Sequence, residues 1–147
     1  MSLDPDKTLN IFILEDDTFN RDILLMYLTR YFKPKRSSIL PNIDMKLTVS
    51  DALQSMEDSS SKGLLYNLVI TDYHLTESKT GADFVRDVKE MYTRKSTLHP
   101  AFFLVSGNSM VNSPEANLFF KCILKPFTFD QFATELDRWM TVTGRSS

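Results

Sequence analysis

Five side chains stand where short apolar runs end, and their types suit one kind of chemistry. Glu15 and Asp16 follow the run at residues 11–14, with a third acid, Asp17, directly after them. Asp72 follows "LVIT", Ser106 follows "FFLV", and Lys125 follows "FFKCIL" and precedes Pro126. Adjacent carboxylates at the end of a buried strand repel one another and are costly to desolvate. They become tolerable when they hold a hard divalent cation, and Mg2+ takes one or two carboxylates together with waters and phosphate oxygens. A carboxylate is also a nucleophile for phosphoryl groups, giving an aspartyl phosphate. A nearby ammonium and Mg2+ balance charge on the transferring oxygens, and a hydroxyl can hydrogen-bond the phosphate once it is present.

Each residue alone has an ordinary reading. Ser106 can be a turn residue before Gly107, Lys125 a snorkelling strand-end lysine, Asp72 a turn cap, and Glu15 with Asp16 a helix start. What those readings leave unexplained is their convergence, which follows from the elements that carry them. The apolar runs at 11–14, 68–71, 102–105 and 119–124 read as strands buried on both faces, with "DMKLTV" at 44–49 a weaker fifth. Helical spacing of apolar residues predicts helices over 18–32, 81–92 and 129–140, a shorter one over 51–57 and a weak one over 114–118. Strand then helix, five times over, implies right-handed crossovers and an α/β fold: a doubly wound, five-stranded parallel sheet with helices on both faces. Such sheets bind ligands at the carboxyl ends of their strands, near the point where strand order reverses. All five residues fall on that edge.

The bulk properties exclude several classes. At 147 residues and 42% hydrophobic, the chain suits one domain: an N-terminal extension over 1–9, the domain itself over 10–141 and a tail over 142–147. A formal net charge of −2 gives no global excess of basic groups for a phosphate backbone. No apolar run is long enough to span a bilayer, and "MSLDPDKTLN" lacks the features of a signal peptide, so a soluble, cytoplasmic protein is expected. Cys122 is a single cysteine among apolar neighbours and reads as a small buried residue. One cysteine and two histidines make no nitrogen or sulfur metal cluster. "FKPKRSSILPN" at 32–42 reads as a solvated loop and "EDSSSKG" at 57–63 as a flexible turn.

The motifs resemble the receiver domain of two-component response regulators, of the chemotaxis-regulator type with a flavodoxin-like (βα)5 fold. "ILEDDTFNR" is similar to the acidic first-strand motif, "LVITDYHLTESKTG" to the phosphoacceptor segment, "FFLVSGN" to the switch-hydroxyl strand and "ILKPF" to the lysine–proline pair. The resemblance runs from about residue 10 to residue 140. It implies that Asp72 accepts a phosphoryl group from the phosphohistidine of a sensor histidine kinase or a histidine phosphotransfer protein. It further implies that Mg2+ is bound by Asp16 and Asp72, by Glu15 largely through water, and by the backbone carbonyl of His74. Ser106 would bond the phosphoryl group, Lys125 would pair with it, and the Lys125–Pro126 peptide would be cis. Asp17, one step past the usual pair, reads as a helix-start residue complementing the N-terminal dipole.

The sequence also departs from that family. Thr76 stands where a proline is usual, and the loop to Gly81 is one residue longer. Cys122 occupies the position of the switch aromatic. The interval from Ser106 to Lys125 is short by roughly one helical turn, which leaves the fourth helix stunted and assigns any response to the loop 107–112. The implied function is a phosphorylation switch rather than an enzyme, assisting its own phosphoryl transfer and dephosphorylation. It would act through a downstream protein target, with no direct nucleic-acid or membrane partner, either alone or as the excised receiver of a hybrid histidine kinase. Two other readings remain: a Mg2+-dependent phosphohydrolase working through an aspartyl phosphate, which needs a general acid beside its nucleophile, and a receiver that binds partners without phosphorylation.

Overall fold

The computed structural model describes residues 9–35, 41–75, 78–110 and 112–143. Most of the expected extension and tail, Thr76 and Val111 lie outside the described residues. Five parallel strands form one sheet in the order β2-β1-β3-β4-β5. They are β1 (Asn10–Leu14), β2 (Asn42–Lys46), β3 (Leu68–Asp72), β4 (Ala101–Ser106) and β5 (Lys121–Leu124). Four α-helices connect and cover them: α1 (Thr18–Lys35), α2 (Val49–Ser61), α3 (Gly81–Arg94) and α4 (Phe129–Val142). The crossover from β4 to β5 holds only a five-residue 3-10 helix, Pro114–Leu118. No described helix is long and apolar enough to cross a membrane.

The sheet divides the interior into two cores, because successive strand residues face opposite sides. Ile11 and Ile13 of β1 join α1 and α4 through Leu24, Leu28, Phe132 and Leu136. Phe12 and Leu14 join α2 and α3 through Ala52, Met56, Phe84 and Val88. The central strands β1 and β3 are therefore fully buried. This is why they read as continuous apolar runs and not as alternating ones.

The helix starts are set by side-chain caps. Thr48 caps α2 by accepting the Asp51 N–H at 3.1 Å. Thr80 with Asp83, and Thr128 with Gln131, form reciprocal capping boxes on α3 and α4. Asp17 accepts the Phe19 N–H at 2.9 Å, and its carbonyl accepts the Arg21 N–H at 3.0 Å. It serves the start of α1, as the sequence implies.

Several boundaries differ from the sequence expectations. Strand β2 is Asn42–Lys46 and not 44–49, because Thr48 is consumed as the α2 cap. Helix α2 extends to Ser61 through most of the expected turn at 57–63. The Ser60 and Ser61 hydroxyls donate back to the Glu57 carbonyl within the helix, so serine does not break it here. The turn is confined to the next residues, where Gly63 adopts φ +83°. Helix α1 continues to Lys35, past the expected stop at 32. A proline in the last turn forfeits only its own N–H and already has a helical φ. Residues 36–40 of the expected loop lie outside the described residues. Strand β5 begins at Lys121 because Phe119 still closes the 3-10 turn on Ala116, and at this sheet edge only Ile123 is fully buried.

Gly81 fixes the end of β3. Its N–H donates to the Tyr73 carbonyl at 2.8 Å, and a Cβ on it would lie 2.2 Å from the Asp72 carbonyl oxygen. Gly81→Ala is therefore expected to cost about 1–3 kcal/mol in urea unfolding through overpacking against backbone. Gly107→Ala, with open space around its added methyl, is expected to stay within about 0.5 kcal/mol. Equal costs for the two would show that close approach to Asp72 does not constrain the fold.

Candidate functional site

The switch of strand order between β1 and β3 puts Glu15 and Asp72 side by side at the carboxyl edge of the sheet. Glu15 is fully buried, Asp72 nearly so, and Asp16 is half-buried. One carboxylate oxygen from each of the three lies within 4.8 Å of the others. Strand β4 delivers Ser106, 2% exposed, and β5 delivers Lys125, whose N–H donates to the Ser106 carbonyl at 2.7 Å. The Lys125 ammonium reaches Asp72 Oδ1 at 3.3 Å and Glu15 Oε1 at 3.4 Å. The Lys125–Pro126 peptide is cis. Glu15, Asp16, Asp72 and Lys125 thus meet in one place, with Ser106 on the same sheet edge and bonded to the Lys125 backbone.

Their electrostatics are unbalanced. Burial pushes Glu15 from an ordinary 4.5 up to about 7, and the negative charge of Asp72 adds to the rise, while Lys125 and the Asp17 N–H oppose it. Three carboxylates face one ammonium. A set of hard oxygen donors with surplus negative charge suits a hard divalent cation and no softer metal.

Asp72 Oδ1 also accepts the Tyr73 N–H at 2.8 Å. The Ser106 hydroxyl oxygen accepts the Asn108 N–H at 3.1 Å. His74 is exposed, and its ring Nε2 sits 3.3 Å from the Asn108 side-chain nitrogen. Asp17, facing the start of α1, is outside the carboxylate set.

Three further residues escaped the sequence reading. The Tyr73 hydroxyl donates to Glu115 of the 3-10 helix at 2.8 Å, and Arg86 of α3 donates to the other Glu115 oxygen at 3.1 Å. These contacts span 42 and 29 positions, and no local pattern announces them. An apolar cleft of about 200 Å³, lined by Phe19, Ile23, Tyr27 and Phe127, also opens beside Glu15 and Lys125. Phe19 at its mouth is 71% exposed.

No protein-family profile matches the chain, and no curated protein matches it. Solved structures do. A sensor protein from Polaromonas sp. JS666 superposes with a TM-score of 0.69 at 18% identity, over 91% of this chain and 97% of that one. A response regulator receiver domain from Methylobacillus flagellatus gives 0.64 at 20% identity, over 90% and 98%. The receiver domain of a histidine kinase from Arabidopsis thaliana, solved with Mg2+ and BeF3−, gives 0.67 at 13% identity, over 90% of each chain. The chain has the receiver fold.

Within that fold two of the expected departures, the shortened crossover and Cys122, fall on described residues. The fourth crossover of this chain holds only the short 3-10 helix, none of whose residues is fully buried. Cys122 pairs with Leu104 and is half-buried at the sheet edge, less enclosed than the sequence suggests, and burial pushes its thiol up. Phe120, two residues earlier, stacks on Phe103 with ring centroids 5.8 Å apart. The loop expected to respond, 107–112, is described except for Val111.

Glu15 gives a pH prediction. Because its pKa is raised on folding, the folded state binds the proton more tightly than the unfolded one, and stability from this group falls as pH rises from about 4.5 through about 7. Glu15→Gln is therefore expected to be more stable than the parent at pH 8 in a metal chelator, with the advantage shrinking towards pH 5. Urea unfolding at several pH values reads this, and a pH-independent difference contradicts it.

Proposed function

We propose that the chain is a phosphoacceptor receiver of a two-component system or phosphorelay, taking a phosphoryl group onto Asp72 from the phosphohistidine of a sensor histidine kinase or histidine phosphotransfer protein. The observation that carries this reading is the Lys125 ammonium lying 3.3 Å from Asp72 and 3.4 Å from Glu15, inside a cluster of three carboxylates. An Asp72 carboxylate oxygen attacks phosphorus, the N–P bond of the donor breaks, and its electron pair returns to the imidazole nitrogen, which is then protonated. Asp16 and Asp72, the His74 carbonyl, and Glu15 through water would hold Mg2+. That ion would neutralise the acidic set and the transferring oxygens. Lys125 stands ready to pair with a phosphoryl oxygen. Ser106 would donate its hydroxyl hydrogen to another, a hydrogen that its acceptance of the Asn108 N–H leaves available.

The apolar cleft beside the site supports docking of a donor protein. Its exposed Phe19 and its lining from α1 lie against Lys125 and Pro126. A partner docked there would lie beside Glu15 and Lys125, whose ammonium is 3.3 Å from Asp72. The phosphohydrolase alternative lacks support in the segment after Asp72, where Tyr73 and His74 provide no second carboxylic acid.

Incubation with Mg2+ and acetyl phosphate, followed by mass spectrometry for an acid-labile phosphate, tests the reading. Asp72→Asn is expected to abolish labelling, since an amide is no anionic nucleophile. Asp16→Asn is expected to weaken it and to recover partly at high Mg2+, whereas Asp72→Asn does not recover. Undiminished labelling of Asp72→Asn would refute the site assignment.

A further inference from the structure

One residue touches both the candidate phosphoacceptor and the segment between β4 and β5. The backbone N–H of Tyr73 donates to Asp72 Oδ1 at 2.8 Å, while its hydroxyl donates to Glu115 Oε1 at 2.8 Å. Glu115 lies in the first turn of the 3-10 helix, and its other oxygen accepts from Arg86 of α3 at 3.1 Å. That helix buries none of its residues. Leu118 at its end is partly buried against the core that includes α3, and Phe119 directly after it is buried there; at its first turn, the polar contact with α3 is this one carboxylate with its two donors, hydrogen bonds of the charge-assisted kind.

A covalent path joins Ser106 to the same carboxylate. The Ser106 hydroxyl oxygen accepts the Asn108 N–H at 3.1 Å, and the Met110 carbonyl accepts the Ser113 N–H at 3.0 Å. Ser113 in turn caps Glu115, accepting its N–H at 3.2 Å. These bonds lie along the segment that joins Ser106 to Glu115, of which all but Val111 is described.

We propose, on the basis of the phosphoacceptor reading above, that the Tyr73–Glu115–Arg86 bridge is a latch that holds the 3-10 helix against α3 until Asp72 is phosphorylated. A phosphoryl oxygen on Asp72 accepts from the Ser106 hydroxyl, and the turn of that side chain towards the phosphoryl group carries its oxygen away from the Asn108 N–H. The segment from 107 to 110 shifts, Glu115 leaves Tyr73, and the 3-10 helix is released. The bridge and the phosphoryl group favour opposite states, so each weakens the other by the same factor. This route needs no aromatic ring at Cys122.

Hydrogen exchange and binding titration with Mg2+ and beryllium fluoride, a phosphoryl mimic, test the latch on the whole chain, its Tyr73→Phe variant and its Glu115→Ala variant. In the parent protein, exchange over residues 113–119 is expected to rise several-fold when the mimic binds. In both variants that segment is expected to exchange fast from the outset and to change little, and the mimic is expected to bind about three- to tenfold more tightly. Because Tyr73 is half-buried, Glu115→Ala on the outer helix gives a second route should Tyr73→Phe fold poorly. If the parent binds the mimic and the variants match it in exchange and affinity, the latch is overturned while the phosphoacceptor reading stands. Increased protection over 113–119 in the parent also overturns the latch alone. If the parent neither binds the mimic nor takes phosphate on Asp72 from acetyl phosphate, both proposals fall.

Discussion

A single ammonium shared between two buried carboxylates is the constraint around which the rest of this molecule is arranged. Lys125 lies within 3.4 Å of both Glu15 and Asp72, and Asp16 brings a third negative charge into the same space. At a near-surface effective dielectric, two like charges about 4 Å apart repel by about 4 kcal/mol. One lysine cannot cancel three such groups, and burial first, with the Asp72 charge adding to it, raises the proton affinity of Glu15. Such a cluster persists only if the scaffold imposes it. The scaffold does so through parallel register: Leu14 pairs with Thr71, and Asp72 with Val105, so the charged residues emerge together at the carboxyl edge. A slip of one residue in any of these pairings would turn every side chain of that strand to the opposite face and disperse the site.

The two sides of the sheet hold that register unequally. On the α1 and α4 side the core is continuous, from Leu9 to Met140, and aromatic contacts of Tyr27 with Phe127, Phe129 and Phe132 tie α1 to the chain that follows Lys125. The Tyr31 hydroxyl adds a bond to Asp137 between α1 and α4. On the other side α2 and α3 cover β1, β3 and β4 well, but the crossover from β4 to β5, with a short 3-10 helix where an α-helix would lie, leaves β5 thinly covered: Leu124 is 53% exposed and Cys122 half-buried. The chemistry therefore rests on rigid elements. The segment between β4 and β5 rests on Met110, Leu118 and Phe119 against the core and on a few polar contacts, and low local stability is expected there.

That division also explains what could be read from the sequence. The buried strands β1, β3 and β4 were legible because a strand covered on both faces must be apolar throughout, and the residue that ends it is then conspicuous. Glu15, Asp72, Ser106 and Lys125 stand out for that reason. Edges and caps were less legible. Thr48 looks like a strand residue by composition and acts as a cap. The serines at 59–61 look like a turn, yet Ser60 and Ser61 bond back into α2. Pro34 looks like a stop and sits in the last turn of α1. In each case a local hydrogen bond or a position within the final turn outweighs average propensity. The Tyr73–Glu115–Arg86 contact was illegible for a different reason, because it is made only once the fold has brought three distant segments together.

The identity of residue 122 then decides what kind of signal the sheet edge can carry. A large ring that alternates between two pockets stores its free-energy difference in apolar burial, roughly 25 cal/mol per Å² moved. A cysteine side chain is too small to supply much of that. The neighbouring ring that might stand in, Phe120, is already stacked on Phe103 and would forfeit that contact to move. Any difference between two states at this edge must therefore reside chiefly in polar contacts, and the structure supplies a small number of them between the segment after Asp72 and the segment after Ser106: Tyr73 with Glu115, Arg86 with Glu115, and His74 with Asn108. A hydrogen bond to a charged group, such as that from Tyr73 to Glu115, contributes about 1.5–3 kcal/mol, and a solvent-screened ion pair such as Arg86 with Glu115 about 0–1 kcal/mol. A difference of about 1.4 kcal/mol already changes a population ratio tenfold. A lightly packed segment held by such bonds can therefore change state on the gain or loss of one of them, with no rearrangement of the core.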